Sequence, residues 1–123
     1  MARRLALWGP VALWAGLLFF LSSRSDLGPG GRIPDWVTHG TAYCALAMLL
    51  ARALAGGFGR PLAGRCALAV VLAATFYGVS DEWHQSFVPG RDSSAADVAK
   101  DAGGALLGVW CFDRLLSRSE SRS

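Results

Sequence analysis

Hydrophobic residues form four long runs along this chain, and each run is about long enough to cross a lipid bilayer. The hydrocarbon core of a bilayer, about 30 Å thick, requires about 20 helical residues at ~1.5 Å each. Turn-forming sequences separate the runs, namely DLGPGGRIP, GGFGRP and FVPGR. The pattern predicts an all-α fold, a transmembrane bundle of four helices, over residues 5–21, 36–55, 62–80 and 95–112.

The composition is that of a membrane chain rather than of a soluble domain. Hydrophobic residues make up 53% of the sequence and charged residues 17%, against about 25% charged residues in soluble domains. The net charge is +3, but no basic stripe with interleaved aromatic residues is present, so we expect the lipid bilayer as a partner and no nucleic acid. The cysteines, Cys44, Cys66 and Cys111, lie far apart in apolar segments, which predicts buried thiols rather than disulfide bonds or a zinc site.

A chain of 123 residues is expected to form a single domain, 1–123, with a polar and disordered tail over residues 117–123. The first hydrophobic run could instead be a signal peptide that follows the basic start MARR. Its length and the sequence FFLSSRS, a poor cleavage site, favour a retained membrane helix.

Basic residues are distributed unequally between the two ends of the predicted bundle, and this asymmetry indicates its orientation. With a cytoplasmic N-terminus, eight of them lie on the inner side: Arg3, Arg4, Arg52, Arg60, Arg65, Arg114, Arg118 and Arg122. Four lie on the outer side: Arg24, Arg32, Arg91 and Lys100. The positive-inside rule therefore predicts that both termini are cytoplasmic.

Three clusters of ionisable residues lie toward the predicted outer side, and the first is PDWVTHGTAY at the start of the second helix. Asp35, His39 and Tyr43 are spaced i, i+4 and i+8, so one helical face presents all three. Asp35 has a structural explanation as a helix cap and Tyr43 as an interfacial aromatic residue. His39 lies about one turn inside a membrane helix; a lone histidine there is more often structural, but its company with Asp35 and Tyr43 on one face favours a functional role.

The second cluster is SDEWHQ, at the end of the third helix. Asp81 and Gln85 share a face, and Glu82 is adjacent. Carboxylates near a helix C-terminus oppose the macrodipole, so a cation or another partner is expected unless the segment is simply a solvated exit from the membrane. His84 lies off the shared face, and we give it less weight.

The third cluster is PGRDSSAADVAKDAGG, which forms a turn and the start of the fourth helix. The Pro-Gly pair predicts a tight turn that positions Arg91, which can hold a phosphate or carboxylate in a bidentate fork or be a solvated loop charge. Ser94 and Asp97 match a capping box. Asp101 lies a turn deeper on a stripe with Gly104 and Gly108.

Glycines four residues apart predict close packing against a neighbouring helix, which would direct the acidic residues into the bundle. We therefore expect a polar pocket just below the outer surface, lined by Asp35, His39, Tyr43, Asp81, Glu82, Gln85, Arg91, Asp97 and Asp101. Carboxylates and an imidazole can bind a divalent cation or transfer protons, with Asp81 and Glu82 as the candidate metal ligands. No spacing identifies a metal, a nucleophile or a reaction.

The clusters together resemble the VanZ-like family of integral membrane proteins, over residues 34–110. The family pattern is roughly Asp-Lys-x-x-His-x-x-x-Tyr, then Asp-Glu-x-x-Gln, Pro-Gly-Arg and Asp-x-x-x-Asn/Asp-x-x-Gly. These four elements are matched, in order, by Asp35, His39 and Tyr43, by Asp81, Glu82 and Gln85, by Pro89, Gly90 and Arg91, and by Asp97, Asp101 and Gly104.

Two positions depart from the family pattern. Trp36 stands where the family often has Lys, and Asp101 stands where Asn is common. Both departures make the expected pocket more acidic, which weakens a site for anions alone and favours a cation or proton binding.

The resemblance implies a multi-pass protein of the bacterial cytoplasmic (inner) membrane. The namesake of the family is linked to low-level resistance to the glycopeptide teicoplanin, a property that does not transfer to this chain by name. Whether such a protein is an enzyme stays open.

Four functions are compatible with these residues. The first is binding of an anionic lipid or lipid-linked envelope intermediate in the outward-facing pocket, with Arg91 on the headgroup and a divalent cation on the carboxylates. The second is a membrane enzyme acting on a lipid-linked phosphate or sugar, with Asp81 or Glu82 as metal ligand or base and His39 as acid or base. The third is a small proton-coupled transporter, acting as a homo-oligomer, and the fourth is a structural or assembly subunit.

Overall fold

The chain folds into helices joined by short connections in the parts that the computed structural model describes, residues 1–24 and 34–116. The helices are α1 (Ala2–Ser22), α2 (Asp35–Ala55), α3 (Gly64–Gln85) and α4 (Ala95–Cys111), and a π-helical turn, Phe112–Leu116, continues α4. No strand occurs in these residues, which confirms the all-α prediction. The predicted polar tail lies outside the described residues.

Within residues 1–24 and 34–116, three helices are long and apolar enough to cross a membrane: Ala2–Ser22, Trp36–Ala55 and Gly64–Gln85. Large apolar side chains such as Leu13 and Phe76 are more than 70% exposed on the outside of the bundle, as expected where lipid replaces water. The molecule is therefore a membrane protein. α4 has 17 residues and continues directly into the π-helical turn, and its crossing of the membrane, like the orientation of the termini, stays a prediction.

Aromatic side chains mark both ends of the bundle. Trp36 at the start of α2 and Trp83 near the end of α3 are exposed at one end. Trp8 near the start of α1 and Trp110 near the end of α4 are exposed at the other. Exposed tryptophans at two levels are typical of the two interfaces of a bilayer.

Helices α2 and α4 pack closely along a seam of small residues. A Cβ atom at Gly104 would lie 2.5 Å from the carbonyl oxygen of Gly40, and one at Gly108 would collide with the carbonyl oxygen of Cys44. The predicted glycine seam is therefore confirmed, and its partner is α2. The hydrophobic core of the bundle consists of Tyr43, Leu46, Ala47, Ala51, Val70, Ala74, Ala105 and Phe112.

Helix α1 is fastened to α2 and α3 by side-chain hydrogen bonds to backbone carbonyls. Trp14 Nε1 donates to Ala42 O at 2.9 Å, and the Tyr77 hydroxyl donates to Ala15 O at 2.5 Å. Bonds of this kind satisfy polar side chains inside a membrane bundle.

Residues 86–94 connect α3 to α4 and contain the predicted turn. Arg91 N–H donates to Val88 O at 3.2 Å, and Gly90 has φ +79°, so Pro89 and Gly90 occupy the centre of a tight turn. The Ser94 side chain then caps α4 by accepting the N–H of Ala96 at 3.1 Å.

Candidate functional site

The start of α2, the end of α3 and the start of α4 lie at the same end of the bundle, because successive helices run in opposite directions. Each of the three contributes one side chain to a compact group. Ligand-type atoms of His39, Glu82 and Asp101 all lie within 4.8 Å of one another. The structure therefore brings together one member of each cluster that the sequence singles out.

Asp101 is fully buried and connects two helices. Its Oδ1 lies 2.7 Å from Nδ1 of His39 on α2, which donates when the proton is on that nitrogen. Its Oδ2 faces α3, where a Cβ atom at Gly78 would lie only 2.8 Å away. Asp101 can therefore occupy this position only because residue 78 has no side chain.

Glu82 connects α3 to the start of α4. Its side chain is buried, and its Oε2 accepts the backbone N–H of Ser94 at 2.9 Å. In a capping box that N–H would bind the carboxylate of Asp97. The structure instead pairs Asp97 Oδ1 with Lys100 Nζ at 2.7 Å, so the capping prediction is confirmed for Ser94 and wrong for Asp97.

Asp81 and Gln85 form a buried pair on one face of α3, as their spacing predicts. Gln85 Nε2 donates to Asp81 Oδ2 at 3.2 Å, and both residues are less than 10% exposed. Asp81 is not in the compact group that contains Glu82. The joint role of Asp81 and Glu82 as metal ligands stays a prediction.

Tyr43 and Arg91 carry buried polar atoms at the same end. The Tyr43 side chain is buried, with its ring centre 6.2 Å from that of Tyr77. Arg91 follows the α3–α4 turn and is half-buried. Neither the Tyr43 hydroxyl nor Arg91 Nε has a hydrogen-bond partner among the described residues.

Five buried polar side-chain atoms lack a hydrogen-bond partner in the described part of the chain: Tyr43 Oη, Asp81 Oδ1, Glu82 Oε1, Arg91 Nε and Asp101 Oδ2. Buried polar atoms without partners are rare in native proteins and usually indicate a bound ion, water or ligand. All five belong to the residues selected from the sequence. Carboxylate oxygens and a hydroxyl suit a cation or a proton donor, whereas the guanidinium suits an anion.

The remaining predicted residues whose side chains the structure describes are not part of the compact group of His39, Glu82 and Asp101. Asp97 pairs with Lys100 near the surface. Helix α2 begins at Asp35, whose side chain is outside the described part of the structure. His84 stacks on Phe19, with ring centres 4.4 Å apart, and its Nδ1 lies 3.3 Å from Ser22 Oγ, so it contacts α1.

An apolar groove of about 500 Å³ runs along the outer surface between α2 and α4. It extends from Trp36 and Lys100 at the polar end toward Met48 and Leu107 in the middle of the helices. Its floor includes Gly40 and Gly104, where the helices meet. The groove and the polar site are therefore neighbours on the same two helices.

Two contributors to the site are absent from the sequence prediction. Gly78 makes room for Asp101, and the backbone N–H of Ser94 binds Glu82. Gly78 could have been found, because it precedes Glu82 by one helical turn on the same face. The N–H of Ser94 has no signal in the sequence, since every residue except proline carries one.

A family model described as VanZ/LLP1 matches residues 7–116, a range that includes α2, α3, α4 and every residue of the compact group. No curated protein and no solved structure matches the chain.

Proposed function

The chain belongs to the VanZ/LLP1 family, and on that premise we propose that it is a cell-envelope protein of the bacterial cytoplasmic membrane that binds an anionic lipid or a lipid-linked envelope intermediate. The polar site at the ends of α2, α3 and α4 would receive the headgroup. With both termini in the cytoplasm, as the basic residues predict, the site would open toward the outer surface of the membrane.

The observation that carries this proposal is the buried Nε of Arg91, which has no hydrogen-bond partner among the described residues, although carboxylates line the same end of the bundle. A buried charged donor is costly without an acceptor. The planar guanidinium fits phosphate or carboxylate oxygens in a bidentate fork, so an anionic headgroup is the natural acceptor.

The apolar groove between α2 and α4 supports a lipid rather than a water-soluble anion. Its lining is almost entirely apolar, with Lys100 at its polar end. An acyl or prenyl chain would lie in the groove while its headgroup reaches the polar site around the start of α4. Lys100 Nζ, which pairs with Asp97, would contribute positive charge near the headgroup.

Lipid binding can be tested by native mass spectrometry of the full chain in detergent, with phosphatidylglycerol as the anionic probe and phosphatidylethanolamine as the neutral one. The wild type should retain the anionic lipid preferentially. Arg91→Gln should reduce that retention roughly tenfold, and Arg91→Lys should fall between, because a lysine keeps the charge but loses the fork.

Arg65→Gln is the matched control, since Arg65 is exposed at the start of α3, at the opposite end of the bundle. Equal retention of phosphatidylglycerol by the wild type and Arg91→Gln, at equal folded abundance, would remove the basis of the proposal.

A second candidate function is favoured by the 2.7 Å contact between His39 and Asp101. A carboxylate that orients an imidazole is a frequent arrangement in general acid–base catalysis, so the same site could hydrolyse or transfer a lipid-linked phosphate or sugar. Turnover of a polyprenyl phosphate by the purified chain, abolished in His39→Gln, would select the enzyme over the binding protein.

A further inference from the structure

We propose that His39, Glu82 and Asp101 bind a divalent cation of the kind that accepts a nitrogen ligand, such as Mn²⁺ or Zn²⁺. The three residues come from three different helices, and their ligand atoms lie within 4.8 Å of one another. This set differs from the sequence-based candidates, because the imidazole and Asp101 take the place of Asp81.

The geometry is close to that of a bound metal. Ligand distances of about 2.0–2.2 Å place neighbouring ligand atoms roughly 3–3.5 Å apart. Ligand atoms that now lie up to 4.8 Å apart would therefore approach one another by at most about 1.3–1.8 Å, which rotation about side-chain bonds provides. The hydrogen bond between His39 and Asp101 would give way to coordination as the imidazole proton leaves.

Unsatisfied oxygens point to a cation independently of this spacing. Glu82 is 5% exposed and Asp101 0%, and each has one carboxylate oxygen without a hydrogen-bond partner in the described residues. Asp101 Oδ2 is directed at the face of α3 that carries Gly78 and, one turn later, Glu82. A cation between the two carboxylates would compensate both buried oxygens, which no described donor does.

A cation also reconciles the acidic site with an anionic ligand. Ionised Asp81, Glu82 and Asp101 would repel a phosphate, and Arg91 offsets only one of these charges. A divalent cation neutralises two carboxylates, and with three protein ligands it keeps open coordination positions for a phosphate oxygen. This role of the cation rests on the proposed function, whereas cation binding itself does not.

The ligand types indicate which ions should bind best. Imidazole suits Zn²⁺ and similar transition metals, whereas Mg²⁺ prefers oxygen ligands and keeps much of its water. Mn²⁺ accepts both oxygen and nitrogen. We therefore expect Zn²⁺ and Mn²⁺ to bind more tightly than Mg²⁺.

The test is a Mn²⁺ titration of the full chain, delipidated in detergent and treated with a chelator, with free Mn²⁺ measured by electron paramagnetic resonance. We expect one tightly bound Mn²⁺ per chain, displaced by Zn²⁺ and poorly by Mg²⁺. His39→Gln, Glu82→Gln and Asp101→Asn, which nearly preserve side-chain size, should each weaken binding roughly tenfold or more. Asp92→Asn, an exposed acid in the α3–α4 connection, is the matched control and should bind as the wild type does.

Gel filtration identifies any variant that does not fold. Where a variant does not fold, thermal unfolding of the wild type provides the test instead. Mn²⁺ that binds the native state should raise the melting temperature, and the rise should saturate at one equivalent. Unchanged Mn²⁺ affinity in the folded variants, or no saturable rise in the wild type, would overturn the inference.

Failure of this inference is distinguishable from failure of the proposed function. Mn²⁺ binding without retention of phosphatidylglycerol leaves the cation site and removes the lipid proposal. Retention of phosphatidylglycerol by a chain that binds no Mn²⁺ removes the cation site and leaves the lipid proposal.

Discussion

His39 and Asp101 are 62 residues apart in the sequence, and their side chains meet at 2.7 Å across the interface of α2 and α4. Removal of the imidazole leaves a buried carboxylate without this partner. We expect His39→Ala to lower the free energy of unfolding by about 1.5–3 kcal/mol, the range for hydrogen bonds to charged groups. The measurement is reversible unfolding of the purified chain in mixed micelles.

A double-mutant cycle isolates the pair from other contacts of His39. In the His39→Ala background, Asp101→Asn should cost at least about 1 kcal/mol less than it does in the wild type, because the contact with His39 is already lost and the substitution then removes a stranded buried charge. Additive effects would contradict a direct interaction between the two side chains.

Gly78 should tolerate no side chain, since a Cβ atom there would lie 2.8 Å from Asp101 Oδ2. We expect Gly78→Ala to destabilise the chain by about 1–3 kcal/mol through overpacking, and to weaken any Mn²⁺ binding because Asp101 must rotate away. Gly103→Ala is the matched control, since nothing lies within 4 Å of its added Cβ atom and alanine favours helix. Equal melting temperatures for the two variants would refute the close approach of Asp101 to α3.

An added methyl group should destabilise the chain more in the seam between α2 and α4 than at Gly78. At Gly104 an added Cβ atom meets the backbone carbonyl of Gly40 at 2.5 Å, and a backbone atom cannot rotate away. We expect Gly104→Ala to fall at the upper end of the range of about 1–3 kcal/mol, with less folded protein in the membrane. The readout is thermal unfolding followed by gel filtration, with Gly16→Ala on α1 as the unobstructed control. A melting temperature equal to that of the control would show that the helices are not in close contact.

The orientation of the bundle also gives a direct prediction. An alkaline phosphatase fusion after Val88 should be active, because this enzyme requires the outer side of the membrane, whereas a fusion after Gly57 should be inactive. The two positions lie at opposite ends of α3. The reverse pattern would place both termini outside and the polar site toward the cytoplasm, against the distribution of Lys and Arg.

Local properties of the fold could be predicted from the sequence, because they depend on neighbours along the chain. Hydrophobic runs indicate the helices, the i, i+4 rule pairs Asp81 with Gln85, and Pro-Gly followed by Ser94 predicts the turn and the cap. All of these are observed.

Contacts between helices could not be predicted in the same way. Hydropathy and spacing give the face on which Asp101 lies but not the helix that receives it, because its contacts with His39 and Gly78 depend on how the helices pack. Asp97 was mispredicted for a local reason. Its spacing from Ser94 matches a capping box, but the nearby Lys100 binds its carboxylate instead.

The two carboxylate oxygens of Glu82 differ in their contacts. One oxygen holds the backbone of Ser94, the first point of α4, and the other is without a partner among the described residues. A cation or donor that bound the second oxygen would act, through the rigid carboxylate plane, on the residue that caps α4. A single side chain would thus connect occupancy of the site to the position at which α4 begins.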